Sequence, residues 1–307
     1  MQEVYGTCGG AVGPLLSDER ERGPAYNLHM THRVPPTAIV VIAAALYAAA
    51  CLPLVTREQA LRVLVFNIHA GKDAGGKDNL ADVAQLVRTT AADVVLLQEV
   101  DRGTNRSGKA DQLQVLMDAT RYAGAFGRSL DYDGGQYGIA ALARGGFIYN
   151  ETVALPVTPV QTRAGGSHEA RAALVAVAAT RRGRLQAVTT HLDPSADESY
   201  RRQEVEGVLN IVRARLSPVT PILVGGDFNA EPGSAVVQRL KDAGLRDSWT
   251  ECGQGDGLTY PADRPVKRID YLFLTGSLRC TAAEVVETQI SDHRPVLVTL
   301  APLDLTK

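Results

Sequence analysis

Short apolar runs alternate with amphipathic stretches along most of the chain. The first run, Leu61–Phe66, is strand-like and ends in Asn67. A run of this length that is bounded by polar or glycine residues is typical of a buried strand. The predicted strands span residues 61–66, 93–97, 138–144, 172–180, 185–190, 221–224, 268–274 and 295–300.

Helical periodicity separates several of these runs. Leu80, Val83, Ala84 and Val87 lie on one face of a predicted helix. The predicted helices span residues 79–91, 111–121, 197–216 and 233–243. Ser195 and Glu198 form a capping-box pattern ahead of the third helix. A mixture of such strands with roughly five helices predicts an α/β architecture.

Polar residues recur where the predicted strands end. The clearest case is Gly225-Gly226-Asp227-Phe228-Asn229, which follows the apolar run 221–224. A polar turn that closes a strand would explain any one such motif, but the repetition is typical of a single site at converging strand ends. The residues concerned are Asn67, Glu99, His191, Asp227, Asn229, Asp270, Asp292 and His293.

The charge balance argues against one class of function. The 307 residues carry a formal net charge of -2, without the positive excess of an avid, non-specific DNA-binding protein. A nuclease is not excluded by this balance. The dense cluster of arginines at 181–184 is best interpreted as a hairpin turn.

The N-terminal residues have a different pattern. Residues 1–29 lack periodicity and are expected to be unstructured or a mis-assigned extension, with translation starting at Met30. Residues 30–54 combine a short positive region with an apolar run, the layout of a secretory signal. A lipoprotein signal ending at Cys51, an uncleaved membrane anchor and a buried core helix are the alternatives. We therefore expect residues 58–303 to form an exported catalytic domain that associates with the membrane, if at all, through this segment.

Cys252 and Cys280 are the cysteines that fall within the expected domain. Outside the cytoplasm they could form a disulfide. Two unpaired, small apolar side chains are the alternative, and the spacing does not choose between them.

The strand-end residues offer oxygen ligands and no cysteine cluster. Such ligands suit a hard cation, Mg²⁺ or Mn²⁺. The sequence has no His-Glu-x-x-His zinc motif, no phosphate-binding Gly-x-x-x-x-Gly-Lys loop and no Gly-x-Ser-x-Gly nucleophile elbow. A metal combined with histidine and aspartate is suited to attack of water on a phosphate ester.

Seven short motifs, in order from residue 61 to residue 300, resemble the endonuclease/exonuclease/phosphatase superfamily. They are Phe66-Asn67-Ile68-His69, Leu97-Gln98-Glu99-Val100-Asp101, Tyr137-Gly138-Ile139-Ala140, Thr190-His191-Leu192, Gly226-Asp227-Phe228-Asn229, Arg268-Ile269-Asp270-Tyr271 and Ser291-Asp292-His293-Arg294-Pro295. The resemblance implies a deoxyribonuclease-I-like, four-layered α/β sandwich. Two packed sheets would be flanked by helices, with the site at one end.

The resemblance also implies metal ligands. Glu99 would be the main ligand, Asn67 would position the metal or the phosphate, and Asp292 would be a further ligand. His69 stands where relatives often have an acid, so a ligand and a plain loop histidine are both open. His168 is expected in an exposed loop.

The remaining implied roles concern water and phosphate. Asp227 would orient or deprotonate the attacking water, and Asn229, two residues along an extended chain, would hold a phosphate oxygen. His191 would donate to the phosphate. His293 would act as general base or as donor to the phosphoryl oxygen, with its tautomer fixed by Asp270.

Two weaker candidates would contact the phosphate. Tyr137 would bond a phosphate oxygen or simply pack. Arg171 would clamp the phosphate, unless it is a surface arginine.

We therefore expect a metal-dependent phosphodiesterase or phosphomonoesterase that acts as a monomer on a phosphate ester of unknown class. A sphingomyelinase-like lipid phosphodiesterase and a secreted nuclease are alternatives within the same chemistry. A catalytically silent binding module on the same fold is the non-enzymatic alternative.

Overall fold

The computed structural model describes residues 60–160, 169–216, 221–276 and 278–301. The expected N-terminal extension and the signal or anchor segment lie outside these residues, as does His168. Among the helices in the described ranges, none has both the length and the apolar character needed to cross a bilayer.

Twelve strands and five α-helices follow one another along the described chain. The strands are β1 Leu61–Asn67, β2 Val94–Arg102, β3 Ala123–Tyr132, β4 Gly135–Ala143, β5 Phe147–Leu155, β6 Arg171–Thr180, β7 Gly183–His191, β8 Ile222–Asp227, β9 Arg246–Asp247, β10 Asp270–Leu274, β11 Cys280–Val285 and β12 Val296–Leu300. The helices are α1 Leu80–Thr90, α2 Gln112–Thr120, α3 Ser199–Arg215, α4 Ala235–Asp242 and α5 Ser248–Cys252, with a short 3-10 helix at His69–Gly71.

The strands form two sheets of six. The first has the order β11-β12-β1-β2-β4-β3 and the second the order β5-β6-β7-β8-β10-β9. Both sheets are mixed, because β1 pairs in parallel with β2 and β7 pairs in parallel with β8, whereas the other pairs are antiparallel.

The alternation of side chains along β1 explains the layering. Val63 and Val65 belong to the core between the two sheets, while Leu64 and Phe66 face α1 and α2. A strand that is buried on both faces is a continuous apolar run, as the sequence of β1 shows.

Each of the three hydrophobic clusters fills one boundary between layers. The first lies between the sheets, the second joins the second sheet to α3 and α4, and the third joins the first sheet to α1 and α2. Three apolar boundaries separate four layers, so the predicted four-layered α/β sandwich is confirmed.

The eight strands predicted from apolar runs are the eight interior strands. The four strands missing from the prediction, β3, β5, β9 and β11, are the edges of the two sheets. Three of these edge strands alternate buried or half-buried positions with exposed ones, and β9 has only two residues. They lack a long apolar run because an edge strand has less of its surface covered.

The capping-box prediction for α3 was wrong. Glu198 is at the N-cap position, but its side chain caps no backbone N–H. Ser195 instead turns back to Asp193, whose Oδ1 accepts a hydrogen bond from the Ser195 backbone N at 2.9 Å. Ser195 therefore forms part of a turn that precedes the helix, and it does not cap the helix.

Two other local predictions concern turns and cysteines. The arginine cluster at 181–184 does lie at the hairpin between β6 and β7, where Thr180 pairs with Gly183.

Cys252 and Cys280 form a disulfide that links α5 to the edge strand β11. Of the two alternatives left open for these cysteines, the structure has the bridged one.

Candidate active site

A cavity of about 850 Å³ opens at one end of the sandwich. We call it the Asp227 cavity. Its walls include every predicted site residue except Asn67 and Asp270. Those two are almost fully buried and bond to residues of the wall. The predicted site residues are therefore gathered at one place.

Sheet pairing places Asp227 between two other predicted site residues. Asp227 is the last residue of β8; it lies opposite His191 at the end of parallel β7 and opposite Asp270 at the start of antiparallel β10. The carboxylate Oδ2 of Asp227 is 3.6 Å from Nε2 of His191 and 3.6 Å from Nε2 of His293.

A glycine permits this close pairing. Gly226 has φ 149°, and a Cβ atom there would lie 1.9 Å from the carbonyl oxygen of Thr190 on β7. Such a contact is well inside van der Waals distance, so only glycine lets β8 approach β7 at this position.

The path from Asp227 to Asn229 differs from the prediction. The expected extended chain was wrong, because Asn229 has φ 47° and its backbone N donates to Oδ1 of Asp227 at 2.9 Å. Phe228, between them, is buried in the core of the second sheet. The tight turn nevertheless keeps both polar side chains in the wall of the cavity.

Asn67 links the two sheets next to the cavity, through two residues of the cavity wall. Its Nδ2 donates to Oε1 of Glu99 at 3.1 Å and to Oδ2 of Asp227 at 3.1 Å. Its Oδ1 accepts from the backbone N of His69 at 3.0 Å. One amide therefore holds two carboxylates from different sheets near each other, in a position where they would otherwise repel.

Glu99 reaches the cavity from a bulge, not from a strand end. β2 continues to Arg102, and its register with β4 shifts between Leu97 and Val100. Glu99 has φ 57° within this bulge and is half-buried. Bulges commonly re-aim a side chain beside a functional site. Glu99 therefore lines the cavity as expected, but from a bulge and not from the predicted strand end.

His293 is held by a buried carboxylate. Its Nδ1 lies 2.9 Å from Oδ2 of Asp270, and the ring is 4.8 Å from that of Tyr260 between centroids. Burial lowers the pKa of His293, but the Asp270 and Asp227 carboxylates outweigh it and raise that pKa well above the usual range. The raised pKa favours the imidazolium form, in which the second N–H is at Nε2.

His191 is in the opposite state. Burial lowers the pKa of His191 well below its usual value, and the charges of Arg171 and His293 lower it further. Its Nε2 is 3.1 Å from Nδ2 of Asn229, which also donates to the carbonyl oxygen of Leu192 at 3.0 Å. His191 is therefore a neutral ring fixed by the Asn229 amide.

Burial raises the pKa of Asp227, and the nearby Asp270 carboxylate adds to this, while His293 opposes it. Burial disfavours the ionised carboxylate because it removes water, and a nearby cation would offset that cost. The wall of the Asp227 cavity as a whole has six carboxylates against four arginine or lysine side chains.

These features fit a bound divalent cation. Glu99, Asp227 and Asp292 offer carboxylate oxygens to one cavity, and Oδ1 of Asp270 has no hydrogen-bond partner within the described residues. Hard cations prefer such ligands. The buried group of Asp227, Asp270 and His293 also has ligand atoms within 4.8 Å of one another. Because Nδ1 of His293 is bonded to Asp270, the same group is also suited to proton transfer.

The remaining predicted residues lie around this centre. Asp292 is 3.8 Å from Nδ1 of His69, and His69 does not line the cavity. Arg171, the first residue of β6, is buried and lies 3.4 Å from Glu169, so the surface alternative for it was wrong. Tyr137 is buried in β4, and burial together with Glu99 raises its pKa.

Several charged or aromatic cavity residues were missed from the sequence, and three of them illustrate why. Arg106, Tyr260 and Lys267 line the cavity from loops. None of the three follows an apolar run, so the strand-end rule could not find them. The Tyr260-Pro261 pair was a turn signal, but nothing local indicated that its ring would pack on His293.

The structure resembles solved members of one family. An endonuclease/exonuclease/phosphatase from Beutenbergia cavernae DSM 12333 has a TM-score of 0.65 at 23% identity, covering 80% of this chain and 72% of that one. Mannosyl-6-phosphatase Bt3783 of Bacteroides thetaiotaomicron VPI-5482 has a TM-score of 0.65 at 20% identity, covering 78% and 99%. At this identity the likeness shows the fold.

Sequence comparison agrees with the fold. The chain is 25% identical over 260 residues to the uncharacterized protein YbhP of Escherichia coli (strain K12), covering 80% of this chain and 98% of that protein. The model of the Endonuclease/Exonuclease/phosphatase family matches residues 64–293, which include every residue of the candidate site. The chain therefore belongs to the Endonuclease/Exonuclease/phosphatase family.

Proposed function

We propose that this domain is a metal-dependent hydrolase of phosphate esters that uses Mg²⁺ or Mn²⁺. The observation that carries the proposal is the Asn67 amide, which holds Glu99 and Asp227 together in an acidic cavity. Without a cation, this excess of carboxylates would repel a phosphate.

Glu99 and Asp292 would hold the cation, and Asn67, whose amide N–H groups face Glu99 and Asp227, would keep these carboxylates in place around it. When bound, the cation would offset the negative charge of the phosphate and polarise it for attack. The residues of the chain then divide the remaining work. Asp227 would orient the attacking water and accept its proton, a role that a carboxylate of raised pKa performs well near neutral pH.

The two histidines would have different roles around the phosphate. His293, held charged by Asp270, would donate from Nε2 to a phosphoryl oxygen as negative charge develops. His191, neutral and accepting at Nε2 from the Asn229 amide, would instead hold that amide in place beside another phosphate oxygen. Donors that are already oriented and buried stabilise developing charge without reorganising.

The test is cleavage of p-nitrophenyl phosphate and bis-p-nitrophenyl phosphate, which separates monoesterase from diesterase activity. We expect cleavage with Mg²⁺ or Mn²⁺, loss of cleavage with EDTA, and loss in the Asp227→Ala, His293→Ala double variant. If the wild-type protein and the double variant are equally inactive with every metal, the enzyme proposal fails and a silent binding module remains.

We also propose that the domain acts outside the cytoplasm. The disulfide between Cys252 and Cys280 supports this, because such bonds persist in oxidising compartments. Fractionation of cells that produce the full chain tests the proposal. Finding the protein in the cytoplasm with both thiols free would overturn it.

A further inference from the structure

Arg106 lines the Asp227 cavity although the proposed chemistry does not use it. It lies in the loop between β2 and α2, and its side chain is 38% exposed. An arginine side chain that serves only solubility is usually mobile, whereas this one is fixed on several sides.

The first restraint is a buried carboxylate. Nε and Nη2 of Arg106 donate to Oδ2 and Oδ1 of Asp101 at 2.7 and 2.8 Å. Asp101 is fully buried and also accepts from the hydroxyl of Thr104 at 2.7 Å. A bidentate pair of this kind fixes the plane of the guanidinium.

The second restraint comes from aromatic rings and the loop backbone. The guanidinium carbon lies 4.6 Å from the centroid of the Tyr132 ring and 5.3 Å from that of Tyr137. The backbone N of Arg106 donates to Oδ2 of Asp133 at 2.7 Å. The side chain is therefore oriented before any ligand arrives, which reduces the entropy lost on binding.

The bonds to Asp101 use two of the five N–H donors that a guanidinium carries. Within the part of the chain that the structure describes, the other three form no hydrogen bond and are available to a ligand in the cavity. Tyr132 and Tyr137 also line this cavity, so the arginine and its two aromatic neighbours form one continuous part of its wall.

Electrostatics limits what this part of the wall can bind. Asp101 already offsets the charge of Arg106, and the cavity wall as a whole carries six carboxylates against four arginine or lysine side chains. A second anionic group on the substrate would be repelled there. A neutral hydroxyl can accept from Arg106 and also donate to a carboxylate, so an alcohol with several hydroxyls matches the mixture of donors and acceptors.

We propose that Arg106 is a specificity-determining residue, which binds a hydroxyl oxygen of the alcohol part of the ester, and that this alcohol is polyhydroxylated. The inference rests on the proposed function, because it concerns the alcohol that is esterified to the phosphate bound at the same site.

The test compares esters that differ in their alcohol. Phosphate release from myo-inositol monophosphate is compared with cleavage of p-nitrophenyl phosphate, and glycerophosphoinositol with bis-p-nitrophenyl phosphate, all with Mg²⁺. Loss of a hydrogen bond from a charged donor costs a factor of about 10 to 100 in binding. Arg106→Leu should therefore lower kcat/KM for the inositol esters about 10- to 100-fold more than for the nitrophenyl esters, mainly through KM.

Arg102→Leu is the matched control. Arg102 also pairs with an aspartate, Asp111 at 2.9 Å, and lies 5.5 Å from an aromatic ring centroid, but it does not line the cavity. It should show no difference between the two kinds of ester. The Asp101→Asn, Arg106→Leu double variant removes the buried carboxylate that the single variant leaves unpaired, and should reproduce the same selective loss.

Two outcomes overturn the inference while leaving the proposed function intact. One is an equal loss for both kinds of ester in Arg106→Leu and in the double variant. The other is an equally selective loss in Arg102→Leu. If the wild-type protein with metal cleaves none of the esters, the proposed function itself fails, and this inference fails with it.

Discussion

The carboxylate of Asp270 lies 2.9 Å from Nδ1 of His293, and both side chains are almost fully buried. The two residues come from the start of β10 and from the loop before β12, in different sheets. The contact fixes the ring so that Nε2 is directed towards Asp227, 3.6 Å away. The protonation of His293, which precedes a strand of the first sheet, therefore depends on the carboxylate of Asp270 in the second sheet.

Replacing Asp270 should change the pH dependence of the reaction. Asp270 is the main cause of the raised pKa of His293. If the charged ring is the donor, activity falls as pH rises through that pKa. In Asp270→Asn the pKa falls, so the alkaline limb of the kcat/KM profile should move to lower pH. An unchanged alkaline limb in the variant would contradict this assignment.

The same pair should affect stability with a defined sign. Because the folded-state pKa of His293 is raised, its contribution is fully present below the unfolded value of about 6.5. That contribution is lost as pH rises through the folded-state pKa. The destabilisation of Asp270→Asn relative to wild type should therefore be larger at acidic than at alkaline pH, as measured by urea unfolding.

Asn67→Leu should weaken both the fold and metal binding. The variant leaves Glu99 and Asp227 without their shared donor. Losing the partner of a buried polar group costs about 1–3 kcal/mol. Asn105→Leu is the control, since Asn105 donates to Asp133 at 3.1 Å on the exposed surface. Equal free energies of unfolding for the two variants would show that the Asn67 bridge stabilises the fold no more than an exposed hydrogen bond does.

Glu99→Gln should abolish the response to metal. The variant keeps the size of the side chain and removes the charge that would hold the cation. We expect kcat/KM to fall about 100-fold or more and the rise in Tm on adding Mg²⁺ to disappear. Glu206→Gln serves as control, because Glu206 pairs with Arg239 on α4 and lies outside the cavity wall. Retention of the Tm rise in Glu99→Gln would place the cation elsewhere.

Gly226→Ala should be strongly destabilising. A Cβ at this position would lie 1.9 Å from the Thr190 carbonyl oxygen. The other atoms nearest to it also belong to the backbone of Thr190, which cannot turn away as a side chain could. Overpacking of this severity should cost about 3 kcal/mol or more. Gly233→Ala is the matched control, since a Cβ there has no neighbour within 4 Å. Similar thermal unfolding of the two variants would refute the close-packing argument.

Removing the disulfide should lower stability and spare the chemistry. The bond closes a segment with a sequence separation of 28 and anchors the edge strand β11. Its loss should cost about 3 kcal/mol. The Cys252→Ser, Cys280→Ser double variant should therefore unfold at lower urea concentration while keeping its kcat/KM under folding conditions. A large loss of activity in the folded double variant would mean that the bond also shapes the site.

The sequence alone determined the interior strands and predicted ten candidate site residues, which lie in the wall of one cavity or are bonded to it. β1, β8 and the other central strands are apolar on both faces because they are covered on both faces, so the pattern appears directly in the residues. Asp227 and His191 were found because they directly end such runs. The edge strands were missed, since less burial leaves a weaker pattern.

Only the tertiary structure decided how the site is held together. Whether Cys252 and Cys280 pair, that Glu99 enters from a bulge and that Asn67 bridges two sheets all depend on contacts distant in the chain. Arg106 is the clearest example, because its position depends on rings and carboxylates brought near by the packing of other strands. Local periodicity records how much each segment is buried, whereas the partners of a buried polar group are set by the packing of the layers.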